Sequence, residues 1–152
     1  MKWSLDKIIS GGQTGVDRAA LDVAFEFGLA CGGWCPKGRR AEDGPLPSLY
    51  PLQETPSDEY SQRTEWNVRD SDGALVLTHG KPEGGTAYTL DFAAQLGRPC
   101  LVVDLETPPR MSSVWAWASK NHVRVLNVAG PRESKSPGIY REAKRFLHQL
   151  LS

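Results

Sequence analysis

Three glycine-rich segments hold the residue types in this sequence that could grip an anion. Gly11-Gly12-Gln13-Thr14-Gly15 follows a short apolar run, Lys7 to Ser10, and leads into a helical pattern. There Val16, Ala19, Ala20, Val23, Ala24 and Phe27 share one face, and Gly28 is placed as a C-terminal cap. Glycine lets the backbone adopt positive φ and come close to a ligand, and the N–H groups opening the next helix point toward negative charge. Thr14 adds a hydroxyl donor. A triphosphate loop would continue with Lys-Ser or Lys-Thr. Here Val16-Asp17 follows, a carboxylate where a cation belongs, and the dinucleotide glycine spacing is missed as well. The second segment, His79 to Thr86, ends in Gly84-Gly85-Thr86 and opens a helix with the same chemistry. The third, Ala129 to Gly138, contains Gly130-Pro131-Arg132-Glu133-Ser134, which adds a cation and a hydroxyl. One such loop fits a tight strand-to-helix turn equally well; several at equivalent strand ends point to a shared anion site.

Further candidates lie between these loops. Lys37, Gly38, Arg39 and Arg40 open a long connection, Pro36 to Pro56, which continues through Glu42, Asp43 and Gly44. Loops of that length are usually functional, and arginine offers bidentate anion geometry that lysine cannot. A solvated loop is the plain alternative. Arg63 and Thr64 are each about one helical turn from Asn67, so these residues could present a polar edge to a ligand or simply an exposed helix face. His79 lies at the carboxyl end of a buried strand, yet a solitary histidine reads as a polar loop residue; His122 and His148 read as surface residues near helix ends. Cys31 and Cys35 read as two residues on one face of a strand, too few for a structural zinc site, so they are expected in the core or lining and no protein-ligated metal is expected.

These residues need a scaffold that places loops together. The pattern alternates strand and helix: strands at Lys7–Ser10, Leu29–Cys35, Ala74–Thr78, Cys100–Asp104 and Arg124–Val128, with helices after Gly15, from Ser57 to about Asp70, from Gly84-Gly85-Thr86 to Gly97, from Ser112 or Ser113 to Asn121, and at the C-terminus. Consecutive apolar residues in Ala74–Thr78 imply burial on both faces, the mark of a parallel strand. This predicts an α/β, Rossmann-like three-layer sandwich with a mainly parallel sheet of about five strands, in strand order 2-1-3-4-5, forming a single domain over residues 1–152. On the C-terminal helix Ile139, Ala143, Phe146, Leu147, Leu150 and Leu151 share one side. Trp115 and Trp117 face different directions on theirs, so at least one is expected to pack against a neighbour or a partner subunit. Eighteen basic residues balance eighteen acidic ones, which removes the footprint of a non-specific nucleic-acid or membrane-surface binder. The apolar runs are strand-sized, the opening Met1–Lys7 has no apolar leader pattern, and three cysteines are an odd count; a cytoplasmic, membrane-free location is expected.

The blocks Ile8–Asp22, Gly32–Gly44, Arg63–Val68, Ser71–Gly73, Gly84–Thr86 and Asn127–Ser134 resemble, in order and over nearly the whole chain, the putative molybdenum carrier family, a circularly permuted branch of the SLOG superfamily. The resemblance implies a Rossmann-like domain assembled into a homodimer or homotetramer, whose loops hold a nucleotide-like or pterin-phosphate ligand. It names the molybdenum cofactor (molybdopterin) as carried cargo. The candidate ligand-binding residues are therefore Gly11, Gly12, Gln13, Thr14, Gly15, Asp17, Arg18, Lys37, Gly38, Arg39, Arg40, Arg63, Thr64, Asn67, Thr78, Gly84, Gly85, Thr86, Gly130, Pro131, Arg132, Glu133 and Ser134. In this reading amides of Gly12–Gly15 and Gly84–Thr86 bind phosphate, and Arg132 with Arg39 or Arg40 neutralises it. A related branch, similar to the cytokinin-activating phosphoribohydrolases, cuts nucleotides with a Pro-Gly-Gly-x-Gly-Thr-x-x-Glu motif. This chain has Lys81-Pro82-Glu83 in place of Pro-Gly-Gly and Thr89 at the glutamate position. N-glycosidic hydrolysis using Asp17, Asp43, Glu83 or Asp91, and an interaction module built on Trp115 and Trp117, are the alternatives to ligand carriage.

Overall fold

The alternating patterns emerge as a parallel sheet with helices on both faces. The computed structural model describes residues 3–152; Met1 and Lys2, the start of the segment read as lacking a leader, lie outside the described residues. In chain order the elements are β1 (Lys7–Ile9), α1 (Val16–Glu26), β2 (Ala30–Gly32), β3 (Trp34–Cys35), β4 (Gln53–Glu54), α2 (Tyr60–Arg69), β5 (Gly73–Thr78), α3 (Gly84–Leu96), β6 (Cys100–Asp104), α4 (Met111–Lys120), β7 (Val125–Ala129) and α5 (Ile139–Leu151). The five-stranded main sheet runs β2-β1-β7-β5-β6, with every neighbouring pair parallel. It is the α/β, Rossmann-like arrangement expected.

The strand order is not the expected one. Counting only main-sheet strands it is 2-1-5-3-4: α4 carries the chain back past β5, and β7 inserts beside β1. An apolar run shows that a strand is buried on both faces but carries no record of which strands flank it, so the pattern alone favours the simplest winding. The consequence for function is large. In the expected order the third glycine loop would lie at the far edge; in the observed one it lies between the other two.

One face of the sheet buries Ile8, Leu75, Leu77, Leu126 and Val128 against α1, α4 and α5. The stripe read on α5 is the stripe that is buried. Trp115 and Trp117 pack against this core, and Trp115 Nε1 donates to the Leu150 carbonyl at 3.0 Å, tying α4 to α5. Alternation sends Ile9, Ala74 and Val76 to the other face, under α2 and α3, which pack on each other.

The strand expected over Leu29–Cys35 breaks at Gly33, where φ is 130°. Ala30–Gly32 stays in the main sheet, while Trp34–Cys35 pairs with β4 in a separate two-stranded sheet. Cys35 therefore joins a small second core with Leu21, Leu46, Tyr50 and Leu52, and Cys31 packs against both cores. The long connection closes around Arg39. Its guanidinium donates to the carbonyls of Leu46 (3.1 Å), Leu52 (3.0 Å), Pro47 (2.9 Å) and Tyr50 (2.9 Å). Among the described residues no helix is long and apolar enough to cross a membrane.

Candidate functional site

Because β7 lies between β1 and β5, the loops following those strands meet at one end of the sheet and enclose a cavity of about 510 Å³. The β1 loop supplies Gly11 and Gln13, the β5 loop His79, Lys81 and Glu83, and the β7 loop Gly130 to Arg132, Lys135 and Ser136. Side walls come from α2 (Tyr60, Ser61, Arg63, Thr64, Asn67) and α3 (Gly85, Thr86, Tyr88, Thr89). Thr78, Asn127 and Ala129 form the sheet floor.

Asp17 and Arg63 face each other on the cavity wall, with an Oδ2 to guanidinium distance of 3.0 Å. Gly11 makes this approach feasible, since a Cβ there would lie 2.7 Å from Arg63 Cδ. The Asp17 carboxylate also accepts the Gln13 N–H at 3.3 Å. Burial is the largest influence on this carboxyl and pushes it up to about 6, against the opposing pull of Arg63, the Gln13 N–H and Arg18. At neutral pH the pair is mutually compensated. The other charged residues on the wall besides His79 are Lys81, Arg132 and Lys135 against Glu83, so the cavity favours negative ligands. The first two residues of α3, Gly84 and Gly85, have backbone N–H groups with no hydrogen-bond partner among the described residues. A Cβ on Gly84 would lie 3.5 Å from Lys135 Nζ, which places that ammonium at the start of the helix. Opposite, His79 Nε2 is 2.5 Å from the Glu142 carboxylate.

Elsewhere the protein supplies its own acceptors. The N–H groups of Gly12, Gln13 and Thr14 already donate to Ser10 Oγ (3.3 Å), Asp17 Oδ2 (3.3 Å) and Gln13 Oε1 (3.0 Å). Glu42, from the long connection, accepts hydrogen bonds from Thr14 Oγ1, the Ser134 N–H (3.1 Å) and Ser134 Oγ (2.5 Å), and lies 3.4 Å from Arg132 Nε. Burial works against ionisation of Glu42, but the Ser134 and Thr14 hydrogen bonds and Arg132 outweigh it and hold the carboxyl below its usual range. Arg18 binds Asp43 through two hydrogen bonds of 3.0 and 3.1 Å.

A family model for the circularly permutated YpsA SLOG family matches residues 8–151. The chain belongs to that family. It is also similar to the crystal structure of a "putative molybdenum carrier protein" from Syntrophus aciditrophicus SB, at 48% sequence identity and a TM-score of 0.96, over 98% of this chain and 96% of that one. No curated protein matches this chain.

In this circularly permuted SLOG chain, the candidates brought together on the cavity wall are Gly11, Gln13, Asp17, Arg63, Thr64, Asn67, Thr78, Gly85, Thr86, Gly130, Pro131 and Arg132. Gly84 begins the adjoining helix. Thr14, Gly15, Arg18 and Glu133 line a second cavity instead, of about 570 Å³, with Asp22, Tyr50 and Tyr140. Glu133 there caps α5, accepting the N–H groups of Gly138 (2.6 Å) and Tyr140 (2.9 Å). Gly12 and Ser134 serve the internal bonds just described. Lys37, Gly38, Arg39 and Arg40 stay within the long connection: the Gly38 N–H donates to Glu54 at 2.7 Å, and Arg40 pairs with Asp58. Sequence reasoning passed over Lys135 and Ser136, which lay within the third loop, and discounted His79. It missed Tyr60, Thr89 and Asn127; the signal for Asn127 was an amide inside an otherwise apolar strand.

The Asp17–Arg63 pair makes anion affinity pH-dependent. As pH falls through about 6, Asp17 becomes neutral and leaves the Arg63 charge uncompensated in the cavity. Sulfate, whose own charge is constant over this range, is expected to bind more tightly at pH 5 than at pH 8. Asp17→Asn should bind sulfate at pH 8 as the parent does at pH 5, with a flatter profile. Calorimetric titration at the two pH values checks this, and an unchanged profile in the variant would refute it.

Proposed function

We infer that this SLOG chain binds a small phosphate-bearing heterocyclic ligand in the cleft at the ends of β1, β7 and β5, and that the molybdenum cofactor, carried or stored, is the first candidate. The observation that carries this reading is the company around α3. Its opening amides at Gly84 and Gly85 have no partner among the described residues, and Lys81, Arg132 and Lys135 line the cavity they border. The likeness to a protein named as a molybdenum carrier supplies the candidate cargo. The metal would travel on the pterin's dithiolene. The thiols of Cys31, Cys35 and Cys100 line no part of the cavity, and burial raises all three. Assembly as a homodimer or homotetramer belongs to the same reading, and the exposed apolar side chains Tyr88 on α3 and Val102 on the edge strand β6 mark where to look for it.

Titration of the purified protein with molybdenum cofactor and with nucleoside monophosphates tests the reading. A bound ligand at a hundredfold excess over Kd adds about 2.7 kcal/mol of stability, which reads as a rise of several degrees in melting temperature. Arg132→Ala and Lys135→Ala should each weaken binding roughly tenfold while leaving the unliganded protein stable. No thermal shift with any of these compounds would refute anion binding at this site.

A further inference from the structure

The sheet floor of the cavity and the α3 wall beside it are polar where a helix-on-sheet contact is ordinarily apolar. Asn127 in the middle of β7, Thr78 at the end of β5 and Thr89 in α3 are 2%, 1% and 2% exposed, and all of them line the cavity. Their side chains make no hydrogen bond to any described residue. Asn67 behaves differently. Equally buried, it uses both ends of its amide on the backbone of Trp34, accepting the N–H at 2.7 Å and donating to the carbonyl at 3.0 Å. Asn67 is therefore a structural clamp between α2 and β3. Asn127 has no such partner within reach on its own sheet: its register neighbours are Ile9 on β1 and Ala74 on β5, both apolar. Among the described residues the sealed side-chain polar atoms without a partner are Arg98 Nε and Arg132 Nε, so the amide of Asn127 and the hydroxyls of Thr78 and Thr89 open on the cavity, and polar groups unspent on the protein that face a space of ligand size are complementary to something that enters.

The chemistry of that complement follows from the amide. It offers one acceptor and one donor side by side in a plane, matching a flat ring edge that carries a donor beside an acceptor. The hydroxyls of Thr89 and, farther out along β5, Thr78 can donate or accept, so they can serve other polar groups of the ligand. We propose that Asn127 reads the edge of a planar heterocycle with adjacent hydrogen-bond donor and acceptor, as in a pyrimidinone ring, while the ligand's anionic group stays with Lys135 at the first turn of α3. This rests on the anion-binding reading above and adds which end of the ligand enters first and which residue selects it.

The test uses the full chain and titration calorimetry with guanosine 5′-monophosphate, purine riboside 5′-monophosphate, ribose 5-phosphate and sulfate. Purine riboside monophosphate keeps ring, sugar and phosphate but lacks the donor–acceptor edge. The parent should bind guanosine monophosphate at least about tenfold more tightly than purine riboside monophosphate, because a site built for a hydrogen-bonding edge rejects the analogue without it. In Asn127→Ala that gap should vanish while ribose 5-phosphate affinity holds, and Asn127→Leu, which keeps the approximate shape but loses both donor and acceptor, should behave likewise. Since the amide bonds to no described residue, the unliganded variants should melt within about two degrees of the parent. Equal binding of the two purine nucleotides by the parent, or a variant melting many degrees lower, overturns the role of Asn127. If the nucleotides are not distinguished but ribose 5-phosphate and sulfate bind, only this inference falls; if none of the four binds, the anion-binding reading falls with it.

Discussion

Gly15→Ala is expected to lower stability by about 3 kcal/mol, a drop of about 10 °C in melting temperature for a chain of this size. Two costs add. Gly15 has φ 78° and ψ −131°, a region essentially closed to residues with a Cβ. The added methyl would also overlap the Pro131 carbonyl oxygen and lie 2.9 Å from both the Cα and the carbonyl carbon of Arg132. All of these are backbone atoms, and that carbonyl is pinned by the Val16 N–H at 3.3 Å, so no side-chain rotation relieves the contact. The loops after β1 and β7 touch here, which makes the substitution a test of their convergence. Thermal unfolding that matched the parent within a degree would show the junction to be slack.

Arg63→Met should cost a comparable amount, about 3 kcal/mol at pH 8, and much less at pH 5. The sign follows from Asp17. Its carboxyl is raised from 3.8 to about 6, so the folded state prefers the neutral form; this contribution is full below 3.8 and is lost as pH rises through about 6. Arg63 pulls the carboxyl down and limits that loss. Without it Asp17 rises further, the loss continues above pH 6, and the gap between variant and parent widens as pH increases. Methionine keeps much of the stem packing, so the charge is what changes. Adding Asp17→Asn should recover most of the stability at pH 8. Urea denaturation at pH 5 and pH 8 measures all of this, and a loss independent of pH would mean that the buried pair is not the cause.

Much of the scaffold was legible from residue spacing. The face of α5, the buried run Ala74–Thr78 and the three glycine turns at strand ends follow from local periodicity and from glycine's freedom, and the ordered blocks from Ile8 to Ser134 carried the family. Spacing tells which side of its own element a residue occupies. It does not tell what lies across from that side.

That limit accounts for what was not legible. The place of β7 between β1 and β5 depends on a crossover through α4 that leaves no local trace, yet it is what brings Gly11, Lys81 and Arg132 to one cavity. Arg39 and Arg132 are the same residue type in similar glycine-rich contexts; one is consumed by four loop carbonyls and the other lines the cavity. Asn67 and Asn127 are both buried amides, one satisfied by Trp34 and the other by no described residue. Residue type sets what a group can bond to, and that much was written in the chain. Whether a partner is already in reach depends on long-range packing, and only the tertiary structure decided it.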